Sequence, residues 1–500
     1  MAEERAQRRR ERPRSTWRAL LWTAASVPVP GIAHLRMGRR WSGGLILGCY
    51  LLVLAALTAA ALHLGGDLRR SMRYVVQESW LIGAGATAFA LCVLWMTVVV
   101  HSYVITRPPR AHWAGRWTAA LVVTALCVVV AAPAAAVMRT AHTAYDALSS
   151  VFGPEPTRPV DAADPWEGRD RVNVLLLGGD AGDNRYGMRT DSMMVASIDV
   201  EYGDVVLVGL PRNLENVPFP EGTALAERYP EPHGFDDLLN EVYQTVADDP
   251  AALAIDPVAE DPAADTLRRT IGYAIGVDID HYALVDMRGF QDLIDAIGGI
   301  DVHIEEPIPY GIEGDVLEPG MRHLNGYEAL WYGRSRVNSD DYTRMGRQGC
   351  LIKYVAEQAD PGRILAGFQD LAGATKRTLK TDIPQSRVMH FVDLAELVGD
   401  GTMRTLQLSP PQVNTAYPDW EEIRDMVADA IQEQEDAQSA DGSEEMDALP
   451  SPEGSPAPSP SAPEDGSTEW QEYTGLPEPS PTTPGRQVGD EATSLDALCP

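Results

Sequence analysis

The stretch VNVLLLGGD, Val172 to Asp180, decides the fold class of this 500-residue chain. Val172 to Leu177 is an almost unbroken apolar run, the pattern of a strand buried on both faces of a sheet. It stops at Gly178-Gly179, read as a tight turn that presents Asp180 at the C-terminal end of the strand, where open α/β sheets place their ligands. Working outward, further strands are expected at Met193 to Val200, Val205 to Leu210, Tyr282 to Val285 and Ile300 to Ile304. Helical periodicity falls between and after them, over Asp236 to Asp248, Ala263 to Ile275, Gly289 to Ile297, Tyr342 to Ala359 and Arg363 to Lys380. Strands interleaved with helices imply an α/β domain, spanning residues 171–420.

Upstream, the chain runs without a formal charge over Gly43 to Leu64, Leu81 to Thr106 and Trp117 to Met138. About 20 apolar residues cross a bilayer as a helix, so residues 43–138 are read as three transmembrane spans. Ala19 to Leu35 carries Pro28, Pro30 and His34 and is expected to be interfacial or re-entrant; the alternative, a fourth span, would invert the topology. Arg5 to Arg40 outweighs the Arg69, Arg70, Arg73 loop, so the leader, residues 1–42, is placed in the cytoplasm and the α/β domain outside the cell. Residues 139–170, with Pro154, Pro156, Pro159 and Pro165, read as a stalk.

Charge is partitioned along the chain. The whole carries 41 basic and 72 acidic residues, a formal −31, yet Met1 to Arg40 holds ten Arg against three Glu. Glu421 to Pro500 holds twenty acidic residues against two Arg, among many Pro and Ser, and is expected to be a disordered tail. So negative a chain lacks the cations that neutralise polyphosphate, which excludes nucleic acid as the main partner. Cys350 and Cys499 are the only cysteines outside the spans. A bond between them would tie a helix to an unstructured tail, so both are expected to be free thiols.

The scarce cations of the α/β domain gather in short motifs. Arg189 and Asp191 open the second strand two positions apart, hence on one face. Leu210-Pro211-Arg212-Asn213 closes the third. Arg334 and Arg336 flank Ser335, and Arg344, Arg347 and Gln348 follow on a helix, with Arg344 and Gln348 on one face. Converging on Asp180 and Asp191, these guanidinium forks would bind phosphate oxygens in pairs. Two carboxylates suit Mg²⁺ (or Mn²⁺), which takes oxygen ligands, water and substrate phosphates.

With VNVLLLGGD, RTD (Arg189 to Asp191), LPRN, GVDIDHY (Gly276 to Tyr282), GFQDLIDAIGGIDV (Gly289 to Val302), LNGYEALWYGRSR (Leu324 to Arg336) and RMGRQ (Arg344 to Gln348) in this order, the chain resembles the LytR-CpsA-Psr family. The resemblance implies an extracytoplasmic α/β/α sandwich with a mixed central sheet, preceded here by an all-α transmembrane region. It also implies a phosphotransferase of Gram-positive envelopes that moves a glycopolymer, such as a teichoic acid, from a polyprenyl-pyrophosphate carrier to peptidoglycan. Carried over by position, Asp180 and Asp191 are the Mg²⁺ and catalytic carboxylates and Arg212 acts with them. Arg189, Arg212, Arg334, Arg336, Arg344, Arg347 and Gln348 hold the pyrophosphate. Two departures stand out: Asn213 where the family commonly has Asp, and Leu238 where it commonly has Lys, two residues before Asn240. They favour an alternative, a non-catalytic membrane receptor for polyprenyl phosphate.

Overall fold

The computed structural model describes residues 16–65, 74, 78–108, 112–153, 160–161, 163–180, 187–311, 314–337, 339–359, 379–447, 487 and 491–499. The chain divides into two compact units, one containing Met1–Glu155 and the other Pro156–Ile364 and His390–Pro500 with a short segment between. In the first, three helices are long and apolar enough to cross a membrane: Arg40–His63, Trp80–Thr106 and Trp113–Thr143. The helix holding the last continues to Val151 with Pro133 inside it, through part of the expected stalk. Ala19 to Leu35 falls on two short helices, Thr16–Ala25 and Ile32–Arg36, neither long enough to span. His34 Nε2 lies 2.8 Å from His101 Nδ1, tying the second of these to a span.

The second unit is built on a mixed seven-stranded sheet. Its strands are β1 (Arg171–Asp180), β2 (Arg189–Asp199), β3 (Val205–Leu210), β4 (His281–Asp286), β9 (Leu379–Thr381), β10 (Met403–Gln407) and β11 (Thr493–Ser494). They stand in the order β11-β10-β3-β2-β1-β4-β9. β1 with β4 and β3 with β10 are parallel, and the remaining neighbours antiparallel. Two small antiparallel ladders stand apart, β5 (Ile300–Ile304) with β8 (Gly320–Leu324) and β6 (Ile308–Tyr310) with β7 (Asp315–Leu317). Along β2 and β3 alternate side chains feed two cores: Met193, Val195, Val206 and Val208 enter one, Met194, Ala196, Val205 and Leu207 the other. That is the period-two alternation of a strand, and it explains why these segments read as continuous apolar runs.

Local chemistry fixes the helix ends around the sheet. Pro262–Ile275 begins with Asp261 accepting from the Ala264 amide, has proline in its first turn, and ends at Gly276 in the left-handed region, φ 74°. Asn325 and Glu328 form a capping box at the start of Gly326–Arg334, and Asp340 caps Asp341–Gln358. Asp236 to Asp248 forms a short 3-10 turn, Leu239–Glu241, followed by a helix from Val242 to Asp248. Most of the helix expected over Arg363 to Lys380 lies outside the described residues; its last two residues belong to β9.

Three expectations are corrected. Gly178-Gly179 is not a turn, since β1 continues through it to Asp180. Glycine serves close approach at Gly178, where a Cβ would sit 2.9 Å from Ser192 Cβ; at Gly179 a Cβ would meet Met188 Sδ at 2.8 Å, part of a flexible side chain that can shift. Residues from 421 onward are not disordered throughout, because Trp420–Asp447 is one helix. Its Ile423, Val427 and Ala430 recur at helical spacing and are buried in the first core. Cys350 and Cys499 are not free but form a disulfide across 149 residues. The C-terminal end returns to the sheet as β11, with Leu495 fully buried and Lys353 Nζ 3.1 Å from Asp496. The tail reads as unstructured by composition, whereas a clasp over residues 491–499 buries Ala492, Leu495 and Cys499 and pairs with an edge strand.

Candidate phosphate-binding site

The site lies where β1, β2 and β3 end. Between Gly178 and Gly179 the β1–β2 register slips: Gly178 pairs with Ser192, but Gly179 pairs with Thr190. Asp191 is therefore the extra residue of a β-bulge, a device that re-aims a side chain near sheet ends. Asp180 pairs with Arg189 on the next rung, so both carboxylates come from one distorted corner of the sheet.

Around Asp191 the guanidinium groups gather. Arg212 Nη1 donates to Asp191 Oδ1 at 2.9 Å, and Asn240 Nδ2 donates to the same oxygen at 3.2 Å. Arg344 Nη1 donates to the Asp191 carbonyl at 2.9 Å. A second carboxylate, Asp341, binds three cations at once. Its contacts are Arg344 Nη2 at 3.0 Å, Arg336 Nε at 3.1 Å and Arg212 Nε at 3.5 Å. Asp341 escaped the sequence reading, although its place three residues before Arg344 in the first turn of a helix was a usable signal. Arg334 Nη2 stands 3.7 Å from Asp180 Oδ2. Ser192, also unforeseen, donates from Oγ to Gln348 Oε1 at 2.9 Å, while Gln348 Nε2 donates to the Gly333 carbonyl.

Two predicted ligands face elsewhere. Arg189 pairs with Glu241 at 2.8 Å, leaving its side chain half exposed beside the cluster. Arg347 is buried, and its Nη2 donates to the Ser335 carbonyl and to Ser339 Oγ, so it clamps the connection between two helices. Asn213 turns its amide to Thr415 Oγ1 at 3.2 Å. It therefore does not orient Arg212, whose position is set by Asp191 and Asp341.

Burial works to raise the Asp191 carboxyl, but the hydrogen bond and charge of Arg212, with Asn240 and Arg344, hold it below the usual carboxylate range. Burial likewise opposes the charge on Arg212, yet Asp191 and Asp341 push its pKa up. Burial draws Arg344 down against the pull of Asp341. A carboxylate with a depressed folded pKa contributes stability that is complete above its unfolded value, about 3.9, and that is lost as pH falls through the folded value. Wild type is thus expected to melt above Asp191→Asn at neutral pH, with the gap closing on acidification below about pH 4. Thermal melts across pH check this, and a gap unchanged into acid would contradict it.

Oxygen atoms at this corner could take part in holding a divalent cation. Among the described residues no group of three or more His, Cys, Asp or Glu side chains could cage a metal alone. Among the described residues both donors to the Asp191 side chain fall on Oδ1, and Asn240 Oδ1 beside it is buried without a hydrogen-bond partner. Carboxylate and amide oxygens completed by water and phosphate are the ligand set of Mg²⁺.

A family model described as the LytR_cpsA_psr family matches residues 135–437. The chain is 26% identical over 219 residues to a Bacillus anthracis (strain CDC 684 / NRRL 3495) protein named polyisoprenyl-teichoic acid–peptidoglycan teichoic acid transferase TagU. That match covers 43% of this chain and 62% of the relative's length. A Halalkalibacterium halodurans protein of the same name is 23% identical over 280 residues, covering 52% of this chain and 82% of its own. The crystal structure of B. subtilis TagV aligns at 22% identity and a TM-score of 0.37, covering 52% of this chain and 96% of that one.

Proposed function

Because the chain belongs to the LytR_cpsA_psr family, we propose that it is a membrane-anchored phosphotransferase that moves a glycopolymer from a polyprenyl-pyrophosphate carrier onto a peptidoglycan hydroxyl. The observation that carries this reading is the convergence of Arg212, Arg336 and Arg344 on Asp341 beside Asp191. Arg212 and Arg336 are partly exposed and offer guanidinium N–H donors to phosphate oxygens, while the buried Arg344 fixes Asp191 and Asp341 from behind. The clamp exists before substrate arrives, which is how preorganised charge lowers a phosphoryl-transfer barrier.

In the reaction an acceptor hydroxyl attacks the sugar-linked phosphorus. A new P–O bond forms to the acceptor, and the P–O bond to polyprenyl phosphate breaks. Arg212, Arg336 and Arg344 neutralise the charge that gathers on the leaving phosphate. Asp191 is a poor base in this setting, since Arg212 stabilises its ionised form; it orients Arg212 instead. Asp180, at the strand end, is the carboxylate left to take the hydroxyl proton. With a loose transition state that proton departs late and needs no strong base. Asp191 and Asn240 would hold Mg²⁺, which would supply further neutralisation of the pyrophosphate, with Asp180 kept for the proton.

The Arg-rich leader and the three apolar helices support a cytoplasmic N-terminus and an extracytoplasmic catalytic unit. The Cys350–Cys499 disulfide supports the same compartment, because disulfides persist where the environment oxidises. Arg212 keeps both its carboxylate partners without help from residue 213, which weighs for the enzyme over the receptor. The full chain in detergent, given a polyprenyl-pyrophosphate saccharide, an acceptor glycan and Mg²⁺, is expected to release polyprenyl phosphate, and a chelator to slow release at least about tenfold. Tight lipid binding with no release under any acceptor or metal would favour the receptor.

A further inference from the structure

Beside the phosphate site three aromatic side chains stand in file, unused by the chemistry above. Tyr327, Trp331 and Arg334 are spaced i, i+4 and i+7 on the Gly326–Arg334 helix and share one face. Ala329, Tyr332 and Gly333 occupy the buried face. Tyr310 of β6 extends the file. Ring centroids are 6.2 Å apart from Tyr310 to Tyr327 and 6.3 Å from Tyr327 to Trp331, and the Arg334 guanidinium lies 5.6 Å from the Trp331 ring. Arg334 reaches Asp180, so the file ends at the carboxylate assigned to the acceptor proton. Tyr327 is 45% exposed, and Tyr310 and Trp331 are half-buried.

Short of Arg334 at its end, the polar groups of the described residues along the file are acidic. Asp315 pairs with Tyr310 across the β6–β7 ladder, and Glu328 is an electrostatic neighbour of Tyr310. A Cβ on Gly311 would lie 3.4 Å from the Tyr327 hydroxyl and 3.7 Å from Asp315 Oδ2, so the glycine keeps these two groups uncovered. Aromatic faces are electron-rich and attract the slightly positive C–H face of a sugar ring. A phenol and carboxylates hydrogen-bond ring hydroxyls. The same carboxylates repel a phosphate-bearing polymer. We propose that Tyr310, Tyr327 and Trp331 form a stacking rail for uncharged pyranose rings of the acceptor glycan, leading its hydroxyl to Asp180. This rests on the glycopolymer-transfer reading, and it assigns the acceptor, rather than the donor, to this face.

The test is direct binding without turnover. An N-acetylglucosamine tetramer is titrated into the full chain in detergent, with saturation-transfer NMR on the sugar and heat as readouts. Saturable binding is expected, weakened about fivefold to tenfold in Trp331→Ala and Tyr327→Ala. It should be restored to within about threefold in Trp331→Phe, which keeps a ring, and be unchanged in Arg212→Ala. No saturable binding by wild type, or equal affinity in both alanine variants, would overturn the rail. So would a Trp331→Phe loss as large as that of Trp331→Ala, since stacking is then not the cause. Displacement of the tetramer by a glycerol-phosphate oligomer would make the face a donor track, and displacement by polyprenyl phosphate a lipid groove; either overturns the assignment. Release of polyprenyl phosphate is measured separately, so a chain that binds the tetramer as expected yet never releases lipid phosphate counts against the enzyme reading and not against the rail.

Discussion

Arg212→Ala is expected to slow polyprenyl-phosphate release by about two to three orders of magnitude, the usual cost of removing one preorganised charge-stabilising group. The size follows from geometry. Among the described residues Arg212 is the one side chain that touches the carboxylates of both Asp191 and Asp341, the first through Nη1 and the second through Nε. On the proposed function its loss would delete a phosphate donor, and it also unties Asp191 from Asp341. The fold should survive, because Arg336 and Arg344 still hold Asp341, and Asn240 still donates to Asp191. Arg212→Lys should recover less than about a tenth of the lost rate, since an ammonium cannot offer two directed donors to two carboxylates. Asn213→Asp is the contrast. Its side chain is engaged with Thr415, so activity within about threefold of wild type is expected. Unchanged release in Arg212→Ala, or a large gain in Asn213→Asp, would mean that the cluster is not where the pyrophosphate binds.

Cys499→Ser is expected to destabilise the α/β unit by about 2–5 kcal/mol, because the disulfide closes a very long loop in the unfolded chain. The C-terminal clasp has more than the disulfide to lose. β11 pairs with β10, Arg404 donates to the Ala492 carbonyl at 2.6 Å, and Ala492 and Leu495 fill the cores. The partner, Cys350, lies two residues after Gln348 on the helix that supplies Arg344 to the site. Thermal melts of the full chain should show Cys499→Ser, Cys350→Ser and the double variant falling by the same amount. Wild type treated with reductant should follow them. If the double variant is markedly less stable than either single, the two cysteines do not act as one bond; if none differs from wild type, the clasp does not hold the fold.

Much of the α/β unit was legible because a buried strand advertises itself locally. Val172 to Leu177 and Val205 to Leu210 are apolar on both faces, and no partner need be known to read them. The helices Pro262–Ile275 and Asp341–Gln358 were legible for a similar reason, since Asp261 and Asp340 act within a few residues of their own position, whereas Gly326–Arg334, capped by Asn325, was not read as a helix. The short strands β6, β7, β9, β10 and β11 carry no such signal. Met403–Gln407 and Thr493–Ser494 become strands only because an edge of the sheet is there to pair with.

The site divides along the same line. Its residue types and most of its positions were readable from short Arg, Asp and Gln motifs, together with the charge partition and the three apolar spans. Sequence alone determined that phosphate chemistry beside a membrane was the reading to test. Only the tertiary structure decided which cations converge: Arg212, Arg336 and Arg344 meet on Asp341, while Arg347 turns into the helix connection and Arg189 to Glu241. It also decided that Asp191 is aimed by a bulge and that Cys499 returns to Cys350. The physical reason is range. Periodicity, capping and charge runs are set by neighbours along the chain, whereas ladder register, guanidinium convergence and a disulfide across 149 residues are set by what packing brings together.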